Sequence, residues 1–335
     1  MERRVDVRKI QKTGRNTFIV SLPKAWADTK NVTPGMAAYV EQWDDGSLRI
    51  DVQGPPKSRT AAVDADGPQA LQQTISAYIA GAETIVLNGK TATEVADKAR
   101  LHLAAVDVIS EAPRQVTLRV FATGQEYALS TLLRRMHAVI TSLFDAAQDA
   151  FTGPGEAGRT AQRRESEANR LYTLALRSMG TGSGAAVTRF EALAANALEN
   201  MADELEQFVM ERPRHGKEAL ASVRAVYEET AGEFFGGTAS GAAASGLKRL
   251  EPKMAALRDK SALEWARLND VLRYCVELED TASDVAAVRE LTESSRNRGL
   301  QAASGSIGAG AGKRVRPNPF TGQKVGKELR RPEEE

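Results

Sequence analysis

At 335 residues, 42% hydrophobic and 27% charged, the chain is long enough for several domains and has the composition of an ordinary globular protein. Its apolar runs fall short of the roughly 18 residues a membrane span needs, its first residues lack the apolar core of a secretory leader, and its single cysteine, Cys275, excludes a disulfide framework within one chain, so a cytoplasmic setting is expected. The formal net charge of +1 conceals +5 over residues 1–30 and +5 over residues 296–335, around a middle that sums to −9; the ends can meet phosphates and the middle repels them.

In chain order, residues 5–10 read as a strand, residues 12–16 as a turn in which Gly14 and Asn16 tolerate positive φ, and the β-branched run 17–22 as a second strand. Pro23 can open a short helix over residues 24–27, because its missing N–H is not needed there. A turn at 33–36 leads to a hairpin of residues 37–43 and 48–52 around Asp44-Asp45-Gly46-Ser47. Residues 1–53 thus form an all-β module too small to bury a core alone, so two copies sharing one core are expected. Residues 54–68, rich in turn formers, read as a linker. A helix over 69–81, a strand over 83–87, a helix over 93–105 and strands over 106–109 and 116–121 make a small α/β unit, residues 69–125.

From residue 126 to 298 apolar residues recur at three- and four-residue spacing, beginning with Leu129, Leu132, Leu133, Met136, Ile140, Leu143 and Phe144. Breaks at 152–155, 180–184, 212–213, 236–241 and 251–252 divide this region into about six helices, as an antiparallel bundle would. Residues 299–335, rich in Gly, Ser, Lys, Arg and Pro, read as a basic disordered tail.

Arg8-Lys9-Ile10-Gln11-Lys12-Thr13-Gly14, then Thr17-Phe18-Ile19-Val20-Ser21-Leu22-Pro23-Lys24 with Trp26, then Pro34-Gly35-Met36, resemble the AbrB/SpoVT family over about residues 5–52. The resemblance implies a swapped-hairpin dimer that binds DNA. Arg8, Lys9, Lys12, Arg15 and Lys24 would then contact the phosphate backbone, doubled in the dimer. The other reading of these charges is a solvated surface on a module used only for assembly.

In the helical region Glu199 and Asp203 stand at i and i+4, and Asp280 and Asp284 repeat the pair eighty-one residues later, which suggests a duplicated three-helix unit over 126–212 and 213–298. The first cluster extends to Glu206 and the second back to Glu277. Like charges at this spacing repel, and a metal or a basic side chain would relieve them; a solvated acidic face is the plain alternative. Leu198-Glu199-Asn200-Met201-Ala202-Asp203-Glu204, after Asn169-Arg170-Leu171-Tyr172 on the preceding helix, resembles the PhoU phosphate-uptake regulators. That family is built of three-helix repeats whose acidic motifs can hold metal, and its archaeal-type members join such a bundle to an AbrB-like N-terminus. The resemblance implies Glu199, Asp203, Asp280 and Asp284 as metal ligands, with oxygen donors that suit iron, manganese or magnesium. Val276 stands where the second motif expects Glu, and Asn169 where the first often has Asp.

His102, His137 and His215 lie apart with no ligand at metal spacing, and Cys275 sits among apolar helix positions. No nucleophile constellation occurs, and the Glu-x-x-His pair of di-metal oxidase bundles is missing, so no enzyme is expected. In the tail, Lys313-Arg314-Val315-Arg316 followed by Asn318-Pro319-Phe320-Thr321-Gly322 resembles the DNA-contacting arm of HU-type proteins, which makes Lys313, Arg314 and Arg316 a possible second nucleic-acid contact beside the reading as a solubilising tail. The expectation is a multi-domain, homodimeric transcriptional regulator of phosphate uptake. A protein that binds no DNA, and docks on a phosphate transporter's ATPase or a sensor kinase, is the rival.

Overall fold

The computed structural model describes residues 8–14, 16–42, 48–52, 59–122, 128–181, 186–238 and 240–308. A small β-rich N-terminal region is followed by a mostly helical one. The N-terminal region holds two separate hairpins. In the first, β1 (Gln11–Thr13) pairs with β2 (Thr17–Ile19), with Lys12 opposite Phe18. Gly14 sits at the turn with φ +60°, a conformation that favours glycine. The short helix α1 (Lys24–Thr29) follows Pro23, whose carbonyl accepts the Ala27 N–H at 3.0 Å. In the second hairpin β3 (Tyr39–Gln42) pairs with β4 (Leu48–Asp51), Val40 opposite Ile50. The first strand falls at Gln11–Thr13, on the start of the expected turn, whereas residues 8–10 are not strand and residues 5–7 lie outside the described residues; the second strand ends at Ile19, short of the expected residue 22. The turn at 44–47 lies outside the described residues.

The segment expected to be a linker, residues 54–68, carries β5 (Thr60–Asp64), which opens the α/β unit. Its apolar alternation is only Ala61 and Val63, and the turn formers beside it masked the strand. After β5 come α2 (Ala70–Ile79), β6 (Thr84–Asn88), α3 (Ala92–His102), β7 (Val106–Ala112) and β8 (Gln115–Val120). Among the described residues these strands form a sheet ordered β5-β6-β8-β7, with β5 and β6 parallel across the α2 crossover and β8 antiparallel to both its neighbours. Val63, Ile85, Leu87, Val116, Leu118 and Val120 are buried on one face, as strict alternation along each strand requires.

Six helices follow among the described residues: α4 (Leu129–Asp149), α5 (Pro154–Thr181), α6 (Ala186–Met210), α7 (Lys217–Gly236), α8 (Ala242–Lys260) and α9 (Ala262–Gly308). The breaks near 152–155, 212–213 and 236–241 hold. Arg212 takes φ +55° beyond α6, and Gly237 caps α7 at φ +72°. The break expected at 251–252 does not occur. Pro252 lies inside α8, exposed, so solvent can replace the N–H donor it denies the Lys248 carbonyl, while buried Leu250, Met254 and Leu257 hold the helix on the opposite face. The chain breaks at Ser261 instead. The helical pattern also outruns the expected tail boundary, since α9 continues past residue 299 to Gly308 through the helix formers Leu300, Gln301, Ala302 and Ala303. Contacts divide the chain into residues 1–288 and residues 289–335; of the second unit, residues 289–308 are described, as helix.

In the first unit one continuous core joins the sheet residues Ile85, Leu87 and Leu118 to Met136, Ile140 and Leu143 of α4, Leu198, Met201 and Leu205 of α6, Tyr227 of α7, and Leu268, Cys275 and Leu278 of α9. Cys275 is fully buried, as its neighbours in sequence predict. His137 of α4 meets Tyr227 Oη at 2.8 Å. Arg177 of α5, only 3% exposed, ties the helices to the α/β unit. Its guanidinium donates to the Ala82 carbonyl at 2.9 Å and the Ala122 carbonyl at 3.3 Å and lies over the Tyr78 ring, as a buried charge must be hydrogen-bonded. Among the described residues no helix is long and apolar enough to cross a membrane.

Candidate functional site

Two places hold the residues that the sequence singles out. The first is the N-terminal pair of hairpins. Arg8, Lys9, Lys12 and Lys24 are all exposed there, and Arg15 lies outside the described residues. The apolar side chains around them are exposed too: Ile10, Phe18, Ile19, Val20, Met36, Tyr39, Val40 and Leu48 make eight of the fifteen large exposed hydrophobics among the described residues. Phe18 and Ile19 are neighbours on one strand, so they point to opposite faces, and neither face is covered. Val52 is the only buried residue described between 8 and 52. The hairpins contribute nothing to the continuous core.

The second place lies between α5 and α6. Glu199, Asp203 and Glu206 fall at i, i+4 and i+7, one stripe of α6, and all are half-buried. Glu165 of α5 faces them and accepts a hydrogen bond from Asn169 Nδ2. One turn further, Tyr172 Oη donates to Asn196 Oδ1 at 3.0 Å. Burial, with Asp203 and Glu165 nearby, pushes the Glu199 carboxyl up to about 7. Burial, with Glu165 and Glu204, pushes Asp203 up to about 6. Burial, with Glu165 and Asp203 nearby, raises Glu206. Among the described residues no cationic side chain lies at ion-pair distance from Glu199, Asp203 or Glu206. Their neighbour Glu204 differs, since Arg267 of α9 holds it at 3.0 Å together with Glu211 at 2.9 Å.

The two acidic pairs are therefore unlike. Glu199 and Asp203 are half-buried, whereas Asp280 and Asp284 are exposed on α9. Among the described residues no group of three or more His, Cys, Asp or Glu side chains is placed to hold a metal ion. The buried acid of the second segment is Glu279, whose carboxylate accepts the Ala243 N–H at 3.0 Å and the Ala244 N–H at 3.2 Å at the start of α8. Glu264, further back on α9, does the same before α7, accepting from Arg214, His215 and, at 2.7 Å, Gly216. Glu279 thus satisfies N–H groups that the start of α8 leaves unpaired, and Glu264 satisfies those of the turn that leads into α7.

Sequence reasoning missed Glu165, Glu264 and Glu279. For the last two a signal existed: they lie at helical spacing with Leu268, Cys275, Leu278 and Ala282, so each is a carboxylate on an apolar face. Glu165 had a fainter one, four residues before Asn169 on the face towards α6. Lys313, Arg314 and Arg316 lie outside the described residues. Comparison of the chain with protein-family models, with curated proteins and with solved structures finds no match.

Proposed function

We propose that the protein is a homodimeric, DNA-binding regulator whose N-terminal hairpins form the DNA-contacting part and whose helices form a sensor linked to phosphate uptake. The observation that carries this reading is the state of residues 8–52, where apolar side chains on both hairpins stay exposed beside four exposed basic residues. Hairpins left so bare are marginal alone, and a second copy would cover them. That pairing would double the basic set of Arg8, Lys9, Lys12 and Lys24 into one phosphate-contacting surface. The link to phosphate uptake rests on the resemblance of residues 198–204 and 169–172 to the PhoU family. The input would enter through the Glu165, Glu199, Asp203 and Glu206 cluster, in which burial and neighbouring carboxylates push Glu199 up to about 7 and Asp203 up to about 6. Oxygen donors of this kind suit a hard cation, but no described group is placed to hold one, so the reading routes no step through a metal.

The test is a fluorescence anisotropy titration of the full chain with duplex DNA across a salt series. The reading expects affinity to fall steeply as salt rises, by a factor of the order of a thousand between about 50 and 200 mM. Lys9→Gln/Lys12→Gln should weaken binding and flatten that slope. Absent or salt-independent binding contradicts it and favours the adaptor that docks on a transporter ATPase or kinase.

A further inference from the structure

The outward face of α5 differs from the face that meets α6. It lines an open groove of about 780 Å³ with four arginines, Arg159, Arg163, Arg164 and Arg170, and two carboxylates, Glu156 and Glu167, beside Leu101 of α3. Two of these arginines are already engaged. Arg159 pairs with Glu156, and Arg164 with Glu167 at 2.7 Å, a carboxylate that Arg135 of α4 also holds. The other two have no carboxylate at ion-pair distance among the described residues. Arg163 donates only a long 3.4 Å bond to Thr160 Oγ1, and Arg170 one of 3.4 Å to the Leu101 carbonyl. Each guanidinium has five N–H donors, so most of their capacity faces the groove unspent. This happens within a segment of the chain that is acidic as a whole.

The arrangement narrows the ligand. Arg163 and Arg170 stand seven residues apart on one helix face, about 10 Å along its axis, so a ligand bridging them carries negative charge at more than one point. Guanidinium forks match phosphate oxygens bidentately. Among the described residues no aromatic ring lines the groove, so a base has no platform to stack on and the anionic groups themselves must be recognised. A volume of about 780 Å³ is in the range of sites for small ligands.

We propose that this groove binds a linear oligophosphate, an anion of linked phosphate groups held by Arg163 and Arg170 and framed by Arg159 and Arg164. Such a ligand has two sources, a free inorganic chain or the phosphate tail of a nucleotide.

Isothermal titration of the full chain with inorganic tripolyphosphate, ATP and orthophosphate tests this. Tripolyphosphate should bind, and Arg163→Gln/Arg170→Gln should weaken it at least about tenfold. Arg163→Lys/Arg170→Lys, which keeps the charge but loses the fork, should fall between. Lys9→Gln/Lys12→Gln should leave this binding unchanged, which separates the groove from the DNA-contacting reading above. Affinity for ATP equal to that for tripolyphosphate shows that the phosphate tail of a nucleotide suffices, and weaker ATP binding identifies the free chain as the source; both support the proposal, whereas tighter ATP binding overturns it, because the groove offers a base no platform. It is overturned if neither ligand binds, if orthophosphate binds as tightly as tripolyphosphate, or if both arginine variants, with helical circular dichroism intact, bind like the parent. Displacement of tripolyphosphate by single-stranded DNA more tightly than by ATP, lost in the glutamine variant, also overturns it in favour of a nucleic-acid surface.

Discussion

The hairpins of residues 8–52 and the helices of the first unit treat their apolar side chains in opposite ways. In the helices Met136, Ile140, Leu143, Leu198, Met201 and Leu205 are each fully buried, and even the carboxylates that enter the core, Glu264 and Glu279, are hydrogen-bonded to helix starts. In the hairpins Phe18 is 69% exposed and Leu48 64%. Helices satisfy their backbone locally and need only one covered stripe. A two-stranded hairpin leaves its outer edges unpaired and one or both faces bare until something pairs with it. The helical part is therefore complete within one chain, while the hairpins have the chemistry of half an interface.

The largest expected effect breaks the complete side. Leu143→Ala removes a fully buried side chain of α4 and should lower stability by about 2–5 kcal/mol. Its helical unfolding in urea should shift by the same amount at every protein concentration. A concentration-dependent shift would mean that the helices too depend on a partner.

A smaller effect sharpens the electrostatic side of the contrast. Glu199 and Asp203 have folded-state affinities for protons raised to about 7 and about 6, above the ordinary carboxylate range. The folded state therefore binds more protons than the unfolded one between about pH 4 and pH 7, and the stability this contributes is full below that window and lost as pH rises through it. Urea melts should show the helices more stable near pH 5 than near pH 8. Glu199→Gln should flatten that dependence and raise stability near pH 8 by about 1–2 kcal/mol, discounted for partial exposure. An unchanged pH profile in this variant would show that the cluster stays charged and solvated.

How far the sequence revealed this contrast depends on the kind of signal. The helices were legible because Leu129, Leu132, Leu133, Met136 and Ile140 repeat the helical period over many turns. β5 was not, since Ala61 and Val63 offer two apolar positions amid turn formers. Pro252 misled because a helix break depends on which side the proline faces, which local sequence does not carry. The Glu199 and Asp203 pair was visible as spacing. Its difference from Asp280 and Asp284 was not, because burial is set by which stripe of α6 faces α5. Arg163 and Arg170 carry no motif in the sequence, because what marks them is the groove they share with Leu101, which is distant in sequence.

The most direct measurement is sedimentation equilibrium of the parent chain and of Phe18→Ser/Val40→Ser, which removes two exposed apolar side chains from the two hairpins. The parent should sediment as a dimer and the variant as a monomer. The helical unfolding of the two should differ by less than about 0.5 kcal/mol once both are monomers, as expected of surface substitutions. A parent that sediments as a monomer at all concentrations, or a variant that stays dimeric, would contradict the claim that the hairpins are completed by a second copy.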